Sequence, residues 1–294
     1  MTAVIEVSDL TRTYGKVHAL EAANFAIEEG TICGVLGRNG AGKSTLMRLM
    51  TGQDFPSDGA VRLWGENPLE NAAILSRTCF VRESQVYPDG FRGKHVLRAA
   101  AHLFTGWDAA YAARLVEDFR VPLDRRVKKM SRGQRSALGV VIALASRAEL
   151  TLLDEPYAGL DAVAREMFYD RLLADYSENP RTIVLSTHLI DEASRLLNQV
   201  VVIDAGAVII DADADSLRGT AVSLVGRRAD LDKFAAGRWV LATSSVGGLG
   251  SMTLEGLSDA DKALAVELGL ELAPVSLQEL VVRRTNGSNA SKEN

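Results

Sequence analysis

The stretch Gly37-Arg38-Asn39-Gly40-Ala41-Gly42-Lys43-Ser44-Thr45 constrains this chain more than any other. It matches the pattern G-x-x-x-x-G-K-[ST]. Residues 31–36, just before it, form a short apolar run that predicts a buried strand. Residues 43–50, just after it, carry Leu46, Leu49 and Met50 on one side and predict a helix. A strand, a glycine loop and a helix in that order make a phosphate cradle. The glycines let successive N–H groups turn inward, and the helix aims its partly positive N-terminus at the same anion. Gly37, Asn39, Gly40, Ala41, Gly42 and Thr45 are the expected cradle residues. Lys43 is expected to reach the β- and γ-phosphates, and Ser44 to ligate Mg²⁺.

A second signal is Leu150-Thr151-Leu152-Leu153-Asp154-Glu155-Pro156, an apolar strand that ends in two carboxylates. Asp154 suits a Mg²⁺ ligand, direct or through water. Glu155 suits a general base for the attacking water. An acidic turn closing a strand is the bland alternative, and a phosphate loop in the same chain argues against it.

The rest of the chain alternates strand and helix patterns. Residues 3–27 read as extended. Residues 93–120 read as one helical block, with Val96, Leu97, Ala100 and Phe104 and then Tyr111, Leu115, Val116 and Phe119 recurring at helical spacing, closed by Pro122. Residues 183–185, 200–203 and 208–210 read as strands, the last two joined at Ala205-Gly206. The expected fold is an α/β core with a mainly parallel sheet, an antiparallel β subdomain and a helical subdomain near residues 90–130. After about Arg218 the texture changes, which predicts a small α+β appendage over residues 219–285. The polar residues 286–294 are expected to be disordered.

Composition narrows the function. With 294 residues, 47% hydrophobic and 24% charged, the chain is globular rather than disordered throughout. Lys and Arg number 33 against 38 Asp and Glu, a net charge of −5, which disfavours a globally basic nucleic-acid binder. The basic cluster Arg125, Arg126, Lys128, Lys129, Arg132 and Arg135 reads as a solvated or phosphate-facing surface. Cys33 and Cys79 lie in apolar runs and read as reduced, buried thiols. The longest apolar helix candidate, residues 137–145, is about half the ~20 residues a membrane span needs. The first residues lack a basic start followed by an apolar stretch, so no signal peptide is expected. Such a chain would be cytoplasmic and would serve a membrane through a partner.

The order of motifs resembles the nucleotide-binding subunit of an ATP-binding cassette transporter. Met130-Ser131-Arg132-Gly133-Gln134 is similar to that family's signature, usually written LSGGQ, and lies upstream of Asp154-Glu155. Ala158-Gly159-Leu160-Asp161 resembles its D-loop, and Ser186-Thr187-His188 its switch histidine. Tyr14-Gly15 resembles the segment whose aromatic stacks on adenine. The resemblance covers residues 4 to about 218. It implies an ATP sandwich in which two nucleotide-binding subunits, alike or different, face head to tail. Ser131, Gly133 and Gln134 of one chain, with its Asp161, would meet the ATP held by the other chain's phosphate loop. His188 would contact the γ-phosphate. Membrane-spanning permease subunits would carry the transport path and hold this chain at the inner face of the cell membrane. The block 93–129 and the loop around Tyr87-Pro88 would form the docking groove. The segment Val275-Ser276-Leu277-Gln278-Glu279-Leu280 resembles tails of export-type subunits. A soluble cassette ATPase acting on ribosome or DNA is the alternative, but such relatives carry a second cassette or long insertions.

Two positions depart from the family pattern. The family's loop glutamine, linked to Mg²⁺ and water, follows the strand ending near Val81. Here Glu83 stands in that place, with Gln85 two residues on, and the sequence leaves both open as metal-site residues. Arg132 replaces the first glycine of the signature.

Overall fold

The computed structural model describes residues 3–290. The chain divides into two compact units: one runs to His188 and resumes over Leu196–Asp211, the other takes Leu189–Arg195 and the chain from Ala212 onward.

The first unit begins with an antiparallel sheet. β1 (Ala3–Tyr14) pairs on one side with β2 (Val17–Glu28) and, after β3 (Ile32–Leu36) and α1 (Lys43–Met50), on the other with β4 (Asp58–Leu63). Then come α2 (Ala72–Leu75), β5 (Thr78–Arg82), α3 (Gly93–Leu103), α4 (Ala109–Asp118), α5 (Arg132–Ala145), β6 (Leu150–Asp154), α6 (Ala162–Glu178) and β7 (Thr182–Thr187). The segment α7 (Ile190–Ser194) precedes β8 (Gln199–Asp204) and β9 (Ala207–Asp213). The six-stranded sheet has the order β5-β6-β7-β3-β8-β9 and is parallel from β5 through β8. Strands β3, β6 and β7 are buried at every residue. That matches their unbroken apolar runs, since a strand covered on both faces has no need to alternate. Ile5, Leu10, Leu20, Ile27 and Leu63 of the antiparallel sheet share one core with Leu46 and Leu49 of α1 and with Cys33, Val35 and Leu152.

Register places the business end. Leu36 lies opposite Thr187, Asp154 opposite Ser186, and Arg82 opposite Asp154. The parallel strands therefore end level, and the residues just past them gather at the carboxyl edge, where open α/β sheets bind ligands.

The expected helical block 93–120 is broken. α3 stops at Leu103 and α4 starts at Ala109, because Asp108 takes an extended conformation and its carboxylate accepts the Tyr111 N–H at 2.8 Å. An Asp just before a helix is a start signal that apolar spacing alone overlooks. The helices α4 and α5 then pack side by side, with the run Ser136 to Ala145 of α5 buried.

The second unit holds α8 (Ala214–Leu217), β10 (Ala221–Arg227), α9 (Arg228–Ala235), β11 (Val240–Val246), β12 (Leu249–Glu255), α10 (Asp259–Glu267), β13 (Glu271–Pro274) and α11 (Leu277–Ala290). Its antiparallel sheet has the order β11-β12-β10-β13 around Leu224, Leu231, Phe234, Met252, Leu254 and Leu270. The division at Ala212 precedes the expected one near Arg218. The segment around α7 groups here because it packs on α11, where the Gln278 N–H donates to Asp191 at 3.3 Å. The tail expected to be disordered from Asn286 is instead helical in its backbone to Ala290. It extends a helix already anchored by buried Leu277, Leu280 and Val281, and propagation past a formed nucleus is easy. Residues 291–294 of that expectation lie outside the described residues.

Candidate functional site

The loop between β3 and α1 can be formed only by glycine at two points. Gly37 has φ 151° and Gly42 φ 118°, and a Cβ would strike the Ile203 carbonyl at the first and the Ala19 carbonyl at the second. Gly42 caps α1 without a side-chain hydrogen bond, and the first turn carries no acid. The first N–H groups of α1 are thus left for a ligand, and the helix dipole favours an anion there. Asn39 and Gly40 are exposed, Ala41 is buried and Ser44 is exposed. The Thr45 side chain is buried and its hydroxyl accepts from Arg48 at 3.3 Å, which leaves its backbone N–H, in the first turn of α1, as its group for the cradle.

Lys43 is only 6% exposed. Its ammonium donates to the carbonyls of Gly37 at 2.8 Å and Arg38 at 3.1 Å and lies 3.9 Å from Glu155 Oε1. Burial pulls its pKa below the ordinary 10.5, and the charges of Glu155 and Asp154 act against that shift.

The two carboxylates after β6 sit in different settings. Asp154 is buried and accepts a hydrogen bond from the Ser186 hydroxyl at 2.8 Å. Glu155 is buried at φ 48°, a conformation unusual for such a side chain and typical of functional turns. Its N–H donates to the Ser186 carbonyl at 3.2 Å, and its own carbonyl accepts from Ala158 at 3.1 Å. His188 Nδ1 is 2.9 Å from both Glu155 oxygens. Beneath them Tyr157 and Thr187 share a hydrogen bond between their hydroxyls. Burial, reinforced by the Glu155 charge, pushes the Tyr157 hydroxyl well above its ordinary range, so it stays neutral.

Lys43, Asp154, Glu155 and His188, predicted separately, therefore meet at one edge. The Ser186 partnership with Asp154 has no signal in the local sequence. The signal for it is strand register, which appears only once β6 and β7 are aligned. Among the described residues no cluster of His, Cys, Asp or Glu could hold a metal by itself. The donors on offer, the Ser44 hydroxyl and the Asp154 carboxylate, suit an ion held largely by phosphate oxygens, as Mg²⁺ is.

Tyr14 ends β1 and is partly exposed. Arg12 covers its ring at 4.4 Å to the centroid, and its hydroxyl donates to Asp54 and accepts from Arg48 at 3.2 Å. Burial alone would raise the Asp54 carboxyl. The hydrogen bonds from Tyr14 and Phe55 and the charges of Arg12 and Arg48 hold it below its ordinary range.

The signature residues form a separate cluster. Ser131 caps α5, accepting from the Gln134 N–H at 3.1 Å while the Gln134 side chain accepts from the Ser131 N–H at 3.1 Å. A Cβ on Gly133 would strike the Gly159 carbonyl, and the Ser136 hydroxyl donates to the Ala158 carbonyl at 2.6 Å. The segment 158–161 is thus packed on the start of α5. Asp161 caps α6 by accepting from Ala164 at 2.8 Å. Among the described residues no hydrogen bond or ion pair joins Ser131, Gly133 or Gln134 to residues 37–45. The Glu83 carboxylate is ion-paired to Arg132, and the Gln85 N–H closes a turn on Arg82 at 3.2 Å.

Comparison with known proteins agrees with this layout. A family model described as "ABC transporter" matches residues 20–158. The bacitracin transport ATP-binding protein BcrA of Enterococcus faecalis is 31% identical over 220 residues, 74% of this chain and 71% of that protein. The Nod factor export ATP-binding protein I of Cupriavidus metallidurans is 33% identical over 223 residues, 74% of this chain and 73% of that protein. A solved ATP-binding subunit of an ABC transporter superposes with a TM-score of 0.64 at 27% identity, over 72% of this chain and 91% of that one. A dimeric bacterial ABC transporter cassette shares the fold, with a TM-score of 0.63 at 23% identity over 71% of this chain and 98% of its own. The chain belongs to the ABC transporter family, as an ATP-binding, ATP-hydrolysing subunit.

Proposed function

We propose that this chain hydrolyses ATP in a two-chain sandwich and so drives export through membrane-spanning partners. The observation that carries the proposal is the meeting of Lys43, Asp154, Glu155 and His188 at the carboxyl edge of the parallel sheet. The loop N–H groups and Lys43 hold the β- and γ-phosphates, and Tyr14 stacks on adenine. Ser44 and Asp154 hold Mg²⁺, which when bound offsets phosphate charge. Glu155 takes a proton from the attacking water, and His188 orients that carboxylate and meets the γ-phosphate. The second chain supplies Ser131, Gly133, Gln134 and Asp161, a reading supported by the lack, among the described residues, of any hydrogen bond or ion pair from Ser131, Gly133 or Gln134 to residues 37–45. The residues 286–290 beyond the appendage take no part in this assignment.

Export is supported by the names of the relatives, which include bacitracin transport and Nod factor export. No helix among the described residues is long and apolar enough to cross a membrane. Likeness to relatives named as ATP-binding proteins of transport and export supports assigning the transport path to separate chains, and this one to the inner face of the membrane. The docking face is the block 93–129 with the loop around Tyr87-Pro88, where Val86 is 80% exposed.

Lys43→Ala tests the phosphate site. ATP binding weakens at neutral pH and turnover is lost. In the parent, bound phosphate keeps the Lys43 proton that the free site releases below pH 10.5, so affinity falls on the alkaline side; the variant lacks that fall. Equal affinity in parent and variant, measured by titration across pH, contradicts the assignment.

A further inference from the structure

The two departures from the family pattern are bound to each other: Glu83, one residue past β5, is ion-paired to Arg132, the first residue of α5, 49 positions away in sequence. Both side chains are accessible, 60% for Arg132 and 41% for Glu83, so an approaching chain can reach them. A Cβ on Gly159 would lie 2.9 Å from the Arg132 Cγ, so the Arg132 stem runs alongside Gly159 of the segment 158–161.

Charge gives the arrangement a direction. A guanidinium at the start of a helix faces the positive end of the dipole, and the first turn of α5 holds no acid. Glu83, from another element, offsets that repulsion. Any anion that displaces Glu83 must offset it equally well, and a triphosphate carries more charge than one carboxylate. Arginine also donates in a planar fork that matches phosphate oxygens.

We infer that Glu83 and Arg132 form a latch opened by nucleotide. Arg132 is a phosphate-contacting residue offered to the ATP of a second chain, and Glu83 is the positioning residue that holds it beforehand. This rests on the two-chain reading above. Glu83 then acts on turnover through Arg132 and is neither a metal ligand nor a partner of the attacking water.

The test uses the full-length chain as parent, Glu83→Gln, Arg132→Gln and the double variant. A fluorescent ATP analogue titrated at low protein concentration reads one-chain binding. ATPase rate against protein concentration at saturating Mg-ATP reads the limiting rate and the half-maximal concentration. One-chain affinity should be equal in all four, which also reports that each is folded. Arg132→Gln should raise the half-maximal concentration by about two- to fivefold, the scale of one accessible ion pair. Glu83→Gln should lower it by a similar factor of about two to five. The double variant should match Arg132→Gln alone, and Arg132→Lys should restore part of the loss. Additive effects in the double variant overturn the latch, as does a Glu83→Gln that lowers the limiting rate without moving the half-maximal concentration. A parent that binds ATP but whose specific rate ignores protein concentration overturns the two-chain reading itself, and the latch with it.

Discussion

His188 Nδ1 stands 2.9 Å from both carboxylate oxygens of Glu155. The two residues are 33 positions apart and meet because β6 and β7 run parallel and end level. The bond uses one ring nitrogen and leaves Nε2 for a second partner. It also fixes the carboxylate whose own backbone is in a left-handed conformation.

Removing the ring should therefore harm turnover more than binding. In His188→Ala, kcat is expected to fall by about 10²-fold, the usual scale for a misplaced general base, while ATP affinity stays near the parent value. Single-turnover kinetics with a separate binding titration check this. A loss confined to affinity would make His188 a binding residue only.

Tyr14 sits under Arg12 and is tethered by Asp54, so its ring is held in place before any base arrives. Tyr14→Ala should cost about 1–2 kcal/mol of ATP binding, the scale of one base–aromatic stack, and should raise KM with little change in kcat. An unchanged Kd by titration would make Tyr14, Arg12 and Asp54 a cluster that only stabilises β1.

Asp175 is buried to 1% exposure and serves two guanidiniums: Arg147, and Arg181 at 2.7 Å. Burial, and then repulsion from Arg147, pulls the Arg181 pKa down to about 10. Asp175→Asn leaves two cations facing each other away from water, although Arg147 keeps Asp108 at 3.0 Å. A loss of about 3–5 kcal/mol is expected in urea unfolding, as for other broken buried ion pairs. A loss within experimental error would mean that Asp108 alone balances the site.

What the residues announce and what they hide divides along sequence distance. Gly37 to Ser44 and Leu150 to Glu155 are legible because each carries its strand, turn and chemistry within a few neighbours. The Asp108 helix start was equally local and was masked by continuous apolar spacing on both sides. Glu83 with Arg132, Ser186 with Asp154, and Asp175 with Arg147 and Arg181 are not legible, because each depends on elements brought together by sheet order. The order β5-β6-β7-β3-β8-β9 is itself a matter of crossover connections, which no local pattern encodes. The short strands β4 and β13 escaped for a related reason: each pairs along one side only, β4 with β1 and β13 with β10, and carries little apolar signal.

The most direct measurement is the mass of Glu155→Gln in solution, by light scattering after size exclusion, with and without Mg-ATP. The amide keeps the shape of the carboxylate and cannot take the proton, so ATP should bind while hydrolysis drops by about 10²-fold or more. A monomer without nucleotide that becomes a stable dimer with Mg-ATP is the expected result. A monomer that carries bound ATP and never dimerises, or a variant that turns over at the parent rate, would contradict the two-chain site and the role of Glu155 within it.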